Sequence, residues 1–342
     1  MTPRLLVGID TEGDNQWDLG AREHQTFENI HALPALHTLF EKHGVRPTYV
    51  VTWPVASDER SQEVLRFLLL RGDCEIGAHH HAWETPPCTP EDVRRHPYAA
   101  SLPPTQFDTQ LAELTTAITR AVGDRPVSYR SGRFGFAASH VSALERFGYL
   151  VESSVAPLFY EAHKGGPDFV DAPVAPYFLA YDSAVRAGTS RVLEVPCSAA
   201  LDRRVPASIA RAYARVPWPY VTKRVLRKLG VVRMNWLRPS YSSLDEMCRL
   251  ARRLVDQGVP VLNMLFHSSE AIVGGSPYNR TQGELESFRD RLSRFLAYAT
   301  KDLGAVPQTF REFHADYVRP AAAASAAPSD AVEHPGVSAR AM

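Results

Sequence analysis

Short solid apolar runs alternate along this chain with longer stretches whose apolar positions fall at helical spacing. A solid run bounded by turn residues reads as a strand covered on both faces, and an i, i+3, i+4 pattern reads as a helix with one buried face. Leu5–Ile9 is the first such run. Phe27–His43 reads as a helix that stops at Gly44, where a glycine C-cap fits. Thr48–Thr52, β-branched and aromatic, is a second strand. Gln62–Leu70 is helical and Cys74–Gly77 is a short third strand. Val127–Tyr129 and Tyr149–Val151 read as further strands, accompanied by helices over Phe107–Val122 and Ser139–Phe147. The rhythm returns later as strand Arg191–Val195, helix Leu244–Gln257, strand Val259–Phe266 and helix Gly283–Thr300.

Repeated β-then-α units predict a parallel sheet with helices outside it. The chain has 342 residues, enough for a closed barrel of about eight such units, which takes roughly 250. Parallel strands bring their C-terminal ends to one face, where barrel chemistry sits. Asp10, His79, Arg130 and His267 all fall at or just after expected strand ends, so residues far apart in sequence are expected to meet there.

Composition changes this picture little. Hydrophobic residues make up 44% and charged residues 22%, and 38 basic side chains balance 38 acidic ones. No overall field therefore points to nucleic acid. Cys74, Cys88, Cys197 and Cys248 form no CxxC pair and read as reduced thiols. Carboxylates interrupt the N-terminal apolar run, and no stretch approaches the ~20 apolar residues of a membrane span, so a cytoplasmic location is expected. Two segments break the pattern. Residues 203–238 hold ten Lys or Arg and no Asp or Glu, interleaved with Trp218, Tyr220 and Trp236. They read as a solvated, amphipathic helical insert or as a basic cover that draws in an anionic substrate or lipid surface. Residues 320–342 are rich in Ala, Pro and Ser and are expected to be a disordered tail behind a catalytic domain at 1–319.

The chemistry is concentrated in four places. Asp10 and Glu12, two apart on an extended strand, point to the same side. The neighbouring Glu12-Gly-Asp-Asn15 is also simply turn-rich. His79-His80-His81 follows the third strand, and on extended backbone His79 and His81 share a side while His80 faces away. Two imidazoles and a carboxylate around an open position suit a hydrolytic metal ion. Arg130, in Tyr-Arg-Ser-Gly-Arg133, reads either as a partner that keeps a carboxylate ionised or as an ordinary surface ion pair, and His267, ending an apolar strand, reads either as a proton donor or as a core histidine.

These motifs in this order resemble the polysaccharide deacetylases with a NodB homology domain (carbohydrate esterase family 4), over about residues 5–313. The resemblance implies a distorted (β/α) barrel of about seven strands, a divalent metal, commonly zinc, and removal of N-acetyl or sometimes O-acetyl groups from sugars. By position it makes Asp10 the base, Glu12 and His79 metal ligands, Arg130 the residue that orients the base, and His267 the general acid. Two departures stand out. The acids are spaced by Thr11 where adjacent aspartates are commoner, and Trp83 occupies the position four after His79 where a second histidine is usual. His81 is therefore the expected second histidine ligand, with His80 the alternative, and Trp83 is a candidate for stacking on a sugar. This D-x-E and H-x-H-x-W form resembles a divergent bacterial branch encoded among surface-polysaccharide genes. A catalytically inactive glycan-binding barrel, or a deacylase of a small non-glycan amide, are the competing readings. A non-haem iron oxygenase fits the ligand set but not the βα alternation.

Overall fold

The computed structural model describes residues 2–89, 91, 98–216 and 232–325. Among the described residues twelve strands follow one another: β1 (Arg4–Thr11), β2 (Thr48–Val51), β3 (Glu75–His80), β4 (Ser128–Ser131), β5 (Val151–Glu152), β6 (Tyr177–Ala180), β7 (Ser183–Ala187), β8 (Leu193–Glu194), β9 (Ala199–Leu201), β10 (Met234–Trp236), β11 (Val261–His267) and β12 (Val306–Pro307). Seven of them lie side by side and parallel in the order β11-β1-β2-β3-β4-β5-β8. The sheet curls into a distorted (β/α) barrel with helices packed on its outside, as expected.

The barrel's seam is bridged by individual hydrogen bonds rather than by a strand ladder. Asn263 on β11 reaches across to the chain around β5 and β8, its Nδ2 donating to Ser153 Oγ and Val195 O, each at 2.9 Å. The Asn263 backbone bonds Ser198 in both directions, at 2.9 and 3.0 Å. Both faces of β1, β2 and β3 are buried, which is why those strands read as solid runs instead of alternating ones. The outer helices supply the rest of the core, among them Leu36, Phe40, Leu111, Leu114, Met247, Leu254, Phe288 and Phe295.

Three differences from the sequence reading have local causes. The helix expected at Phe27–His43 is two helices, Glu28–His31 and Leu33–Lys42, the second starting with Pro34 in its first turn, a position proline favours. The third strand does not stop at Gly77 but continues through His80, so His79 and His80 belong to the sheet. The β6–β7 hairpin, antiparallel to β8, went unanticipated because β6 is an apolar run of only four residues and β7 mixes polar and apolar positions.

Within 203–238 the described residues form a helix, Ala207–Arg215, and the strand β10 paired with β9. The helix accords with the amphipathic insert expected there, and 217–231 of that stretch lie outside the described residues. Trp218 and Tyr220 lie outside the described residues, as do 326–342. The last helix runs Phe310–Ser325. No described helix is long and apolar enough to cross a membrane.

Candidate active site

The ends of β1, β3, β4 and β11 bring the expected residues together. Glu12, His79 and His81 are all buried and form one group of potential metal ligands. His79 Nε2 and His81 Nε2 are 3.0 Å apart, and Glu12 Oε2 lies 3.3 Å from His81 Nε2 and 3.7 Å from His79 Nε2. A tetrahedral ion with ligands at about 2.0–2.2 Å separates its donor atoms by about 3.3–3.6 Å, so the three distances bracket what such an ion requires. The outer contacts agree. His79 Nδ1 donates to the Arg130 carbonyl at 3.1 Å, which leaves the Nε2 lone pair facing inward. His81 Nδ1 lies 2.8 Å from Glu84 Oε1, and Glu84 in turn accepts from Gln25 Nε2 at 2.8 Å. Burial pushes the Glu84 carboxyl up to about 7, against the pull of Gln25, His79 and Arg22.

His80 is the member that faces away. Its ring lies in the layer between sheet and helices, with Nε2 2.8 Å from Gln110 Oε1 and Nδ1 3.2 Å from the Tyr129 hydroxyl. Burial holds it down at about 3, so it is neutral there. His80 is a core residue and is not available as a ligand.

Close approach at the histidine side depends on a missing side chain. A Cβ at Gly132 would fall 1.9 Å from His81 Cδ2. The chain then turns sharply, with Arg133 and Phe134 both at positive φ, +54° and +60°, a conformation that bulky residues adopt only when their surroundings impose it.

Asp10 sits beneath the group. Arg130, fully buried, donates from Nη1 to Asp10 Oδ1 at 2.6 Å and from Nε to Ser153 O at 2.8 Å. Burial alone would raise Asp10, but the Arg130 guanidinium, aided by His79 and His267, holds it well below the usual carboxylate range. Arg130 reaches Asp10 by crossing β1 at Gly8, where a Cβ would stand 2.4 Å from Nη2.

His267 closes the opposite side, with Nε2 3.7 Å from Asp10 Oδ2 and 3.9 Å from Glu12 Oε1. Its Nδ1 is 2.7 Å from Glu270 Oε1. Glu270 is buried, and although burial alone would raise it, Arg238 at 2.5 Å brings it down to about 2. An ionised Glu270 fixes Nδ1 as the N–H and leaves Nε2 to the site. Trp17 meets the His267 ring edge-on at 4.9 Å.

Trp83 does not fit the role of a sugar platform. It is buried, with His81 stacked on it at 4.2 Å and the Arg22 guanidinium 4.6 Å from its centroid. With its ring committed to these neighbours, it packs the histidine loop.

Sequence reasoning missed Glu84, Glu270 and Arg238. Two of them carry a legible signal, since each is a carboxylate three residues after a site histidine. Arg238 does not, because it acts on Glu270 from 32 positions away.

No family model matches the chain, and no curated protein matches it. Among solved structures it is similar to a Mycobacterium smegmatis protein described as a polysaccharide deacetylase, with 15% identity and a TM-score of 0.53, over 98% of this chain and 96% of that one. It is also similar to a glycoside hydrolase/deacetylase from Parabacteroides distasonis, with 13% identity and a TM-score of 0.61, over 93% of this chain and 72% of that one. At such identities the likeness is one of fold: the chain has the distorted NodB-type barrel of the polysaccharide deacetylases.

Proposed function

We propose that this chain is a metal-dependent hydrolase of carbohydrate esterase family 4 type that removes an N-acyl group, acetyl foremost, from an amino-sugar glycan or its biosynthetic precursor. The observation that carries this reading is the convergence of Glu12, His79 and His81 on one point flanked by Asp10 and His267.

Glu12, His79 and His81 would hold the ion, and a nitrogen–nitrogen–oxygen donor set suits zinc among the divalent metals. Bound there, it supplies a Lewis acid that acidifies water and polarises the amide carbonyl. Arg130 keeps Asp10 ionised throughout the neutral range, so Asp10 Oδ2 is open to accept a proton from the attacking water. Glu270 orients His267 through Nδ1, and Nε2 holds the proton that the departing amine takes. Ser153 O and the Asp10 carboxylate share the Arg130 guanidinium, which fixes the base with respect to β4 and β5.

The test is acetate release from a panel of amino-sugar glycans and lipid-linked precursors, with and without chelator. Release that stops with chelator and returns on reloading with zinc supports the reading. Protein that binds no stoichiometric metal even after reloading sinks it.

A further inference from the structure

Beside His267 the barrel mouth contains a second feature that amide hydrolysis does not require. A cavity of about 260 Å³ is walled by Phe134, Leu158, Phe159, Met234 and Trp236. Its rings pack on one another: Phe134 meets Phe159 at 5.0 Å and Trp236 at 5.7 Å, and Phe159 meets Trp236 edge-on at 6.3 Å. Their mutual contacts hold the walls in place without an occupant. Two wall residues, Phe134 and Leu158, sit at positive φ, +60° and +66°, so the backbone is strained where it places their side chains.

The lining sets polar side chains beside this wall, and its apolar surface predominates. Two of its residues are charged, and both are engaged: Arg238 with Glu270, Glu161 with Lys164 at 2.9 Å and the Tyr98 hydroxyl at 3.4 Å. The remaining polar groups are the hydroxyls of Tyr160, Tyr213, Tyr241 and Tyr278 and the Trp236 indole N–H; no Asn, Gln, Ser, Thr or Asp is among the described lining residues. Laid against the wall of Phe134, Leu158, Phe159 and Met234, a sugar ring would leave hydroxyls without partners, a costly outcome. An apolar group loses nothing of that kind.

Position relative to His267 indicates which half of the substrate is involved. Arg238 lines the cavity and lies 3.1 Å from His267 Nδ1. Tyr278, also in the lining, contacts Trp17, which contacts His267. In the hydrolase reading His267 serves the departing amine, so this cavity lies on the amine side.

We propose, resting on that reading, that the cavity binds an alkyl chain carried on the amine half of the substrate, as an aglycone of the amino sugar, so that the substrate is an amphiphile. At about 30 Å³ per water-sized group, the cavity holds about eight or nine methylene-sized groups.

Binding of alkyl β-D-glucosides, butyl through dodecyl and below their micellar concentrations, tests this on the full chain by tryptophan fluorescence. These probes have no amide, so the measurement is independent of catalysis. Affinity should rise up to about fourfold per methylene and level off near eight or nine carbons. Phe159→Ala should flatten the rise, and Met234→Trp, which fills the cavity, should bring the plateau to shorter chains. Affinity that ignores chain length in the wild-type protein overturns the proposal. In a second arm, acetate release from alkyl glycosides of N-acetylglucosamine is compared with acid release from N-alkanoyl glucosamines. A gain with aglycone length supports the proposal, and a gain with acyl length alone overturns it. A binding gradient with no amide hydrolysis keeps the cavity assigned and sinks the hydrolase reading; hydrolysis without a gradient does the reverse.

Discussion

Replacing Gly132 with alanine should dismantle the metal group while leaving the barrel standing. The backbone at Gly132 is not left-handed, so alanine is tolerated conformationally, and the whole effect falls on what the new methyl meets. It would stand 1.9 Å from His81 Cδ2 and 2.5 Å from Nε2, where ordinary contact begins at 3.4 Å. The ring must therefore retreat by about 1.5 Å. It has nowhere to go, because Trp83 stacks on it at 4.2 Å and Glu84 Oε1 stands 2.8 Å from its Nδ1. Ligand distances tolerate about 0.2 Å, so the displacement removes one ligand of three. Disturbing outer contacts alone costs about 10–100-fold in metal affinity, and loss of a ligand should cost at least the upper end, about 2.7 kcal/mol. Competition titration with a chromophoric chelator gives the affinity, and far-UV circular dichroism checks the fold. Zinc affinity within threefold of wild type in a folded Gly132→Ala protein would refute the reasoning.

Asp10→Asn should lower turnover about 10²–10⁴-fold with metal still bound, and should also destabilise the chain by about 3 kcal/mol because Arg130 is left buried without its counter-charge; urea unfolding separates the two effects. Glu270 is held at about 2, so it contributes about 3 kcal/mol that is complete above about pH 4.5 and fades as pH falls toward 2. Glu270→Gln should flatten that acid limb of a stability–pH curve and reduce turnover without loss of metal; an unchanged limb argues against the Arg238–Glu270 assignment. Glu152 and Glu194 give the opposite sign: they pair in register, fully buried, and burial raises both. Their contribution declines as pH climbs above about 4.5, so Glu194→Gln should stabilise by about 1–3 kcal/mol at pH 8 and by less at pH 5. Equal effects at the two pH values would show that the pair does not share a proton.

The strands that carry the site were legible because β1, β2, β3 and β11 are covered on both faces, which leaves solid apolar runs that end where the polar site begins. Asp10, Glu12, His79, Arg130 and His267 stood out for that reason: each interrupts or ends such a run. Alternation favoured His81 over His80, since extended backbone sends them to opposite sides of the sheet, but it left His80 as the alternative. What escaped the reading depends on long-range pairing. Arg238 was counted with a basic stretch by its charge, yet it is buried against Glu270, a contact that no local pattern encodes. Trp83 looked like a platform because tryptophan type says nothing of which face is covered. Asn263 sits in mid-strand, and its role at the barrel seam appears only when β11 faces β5 and β8.

Arg130 also constrains how the site can change over descent. Its charge lies inside the barrel, answered by Asp10 and by carbonyl oxygens of β1 and the chain after β5. A lineage that stops needing the base cannot discard Asp10 in a single step, because the first substitution leaves a lone cation in the interior. Decay of activity should therefore begin elsewhere, at His267 or among the metal ligands, or should carry paired changes at positions 10 and 130. Libraries built on this barrel inherit the same rule: the two positions form one unit and need to be varied together.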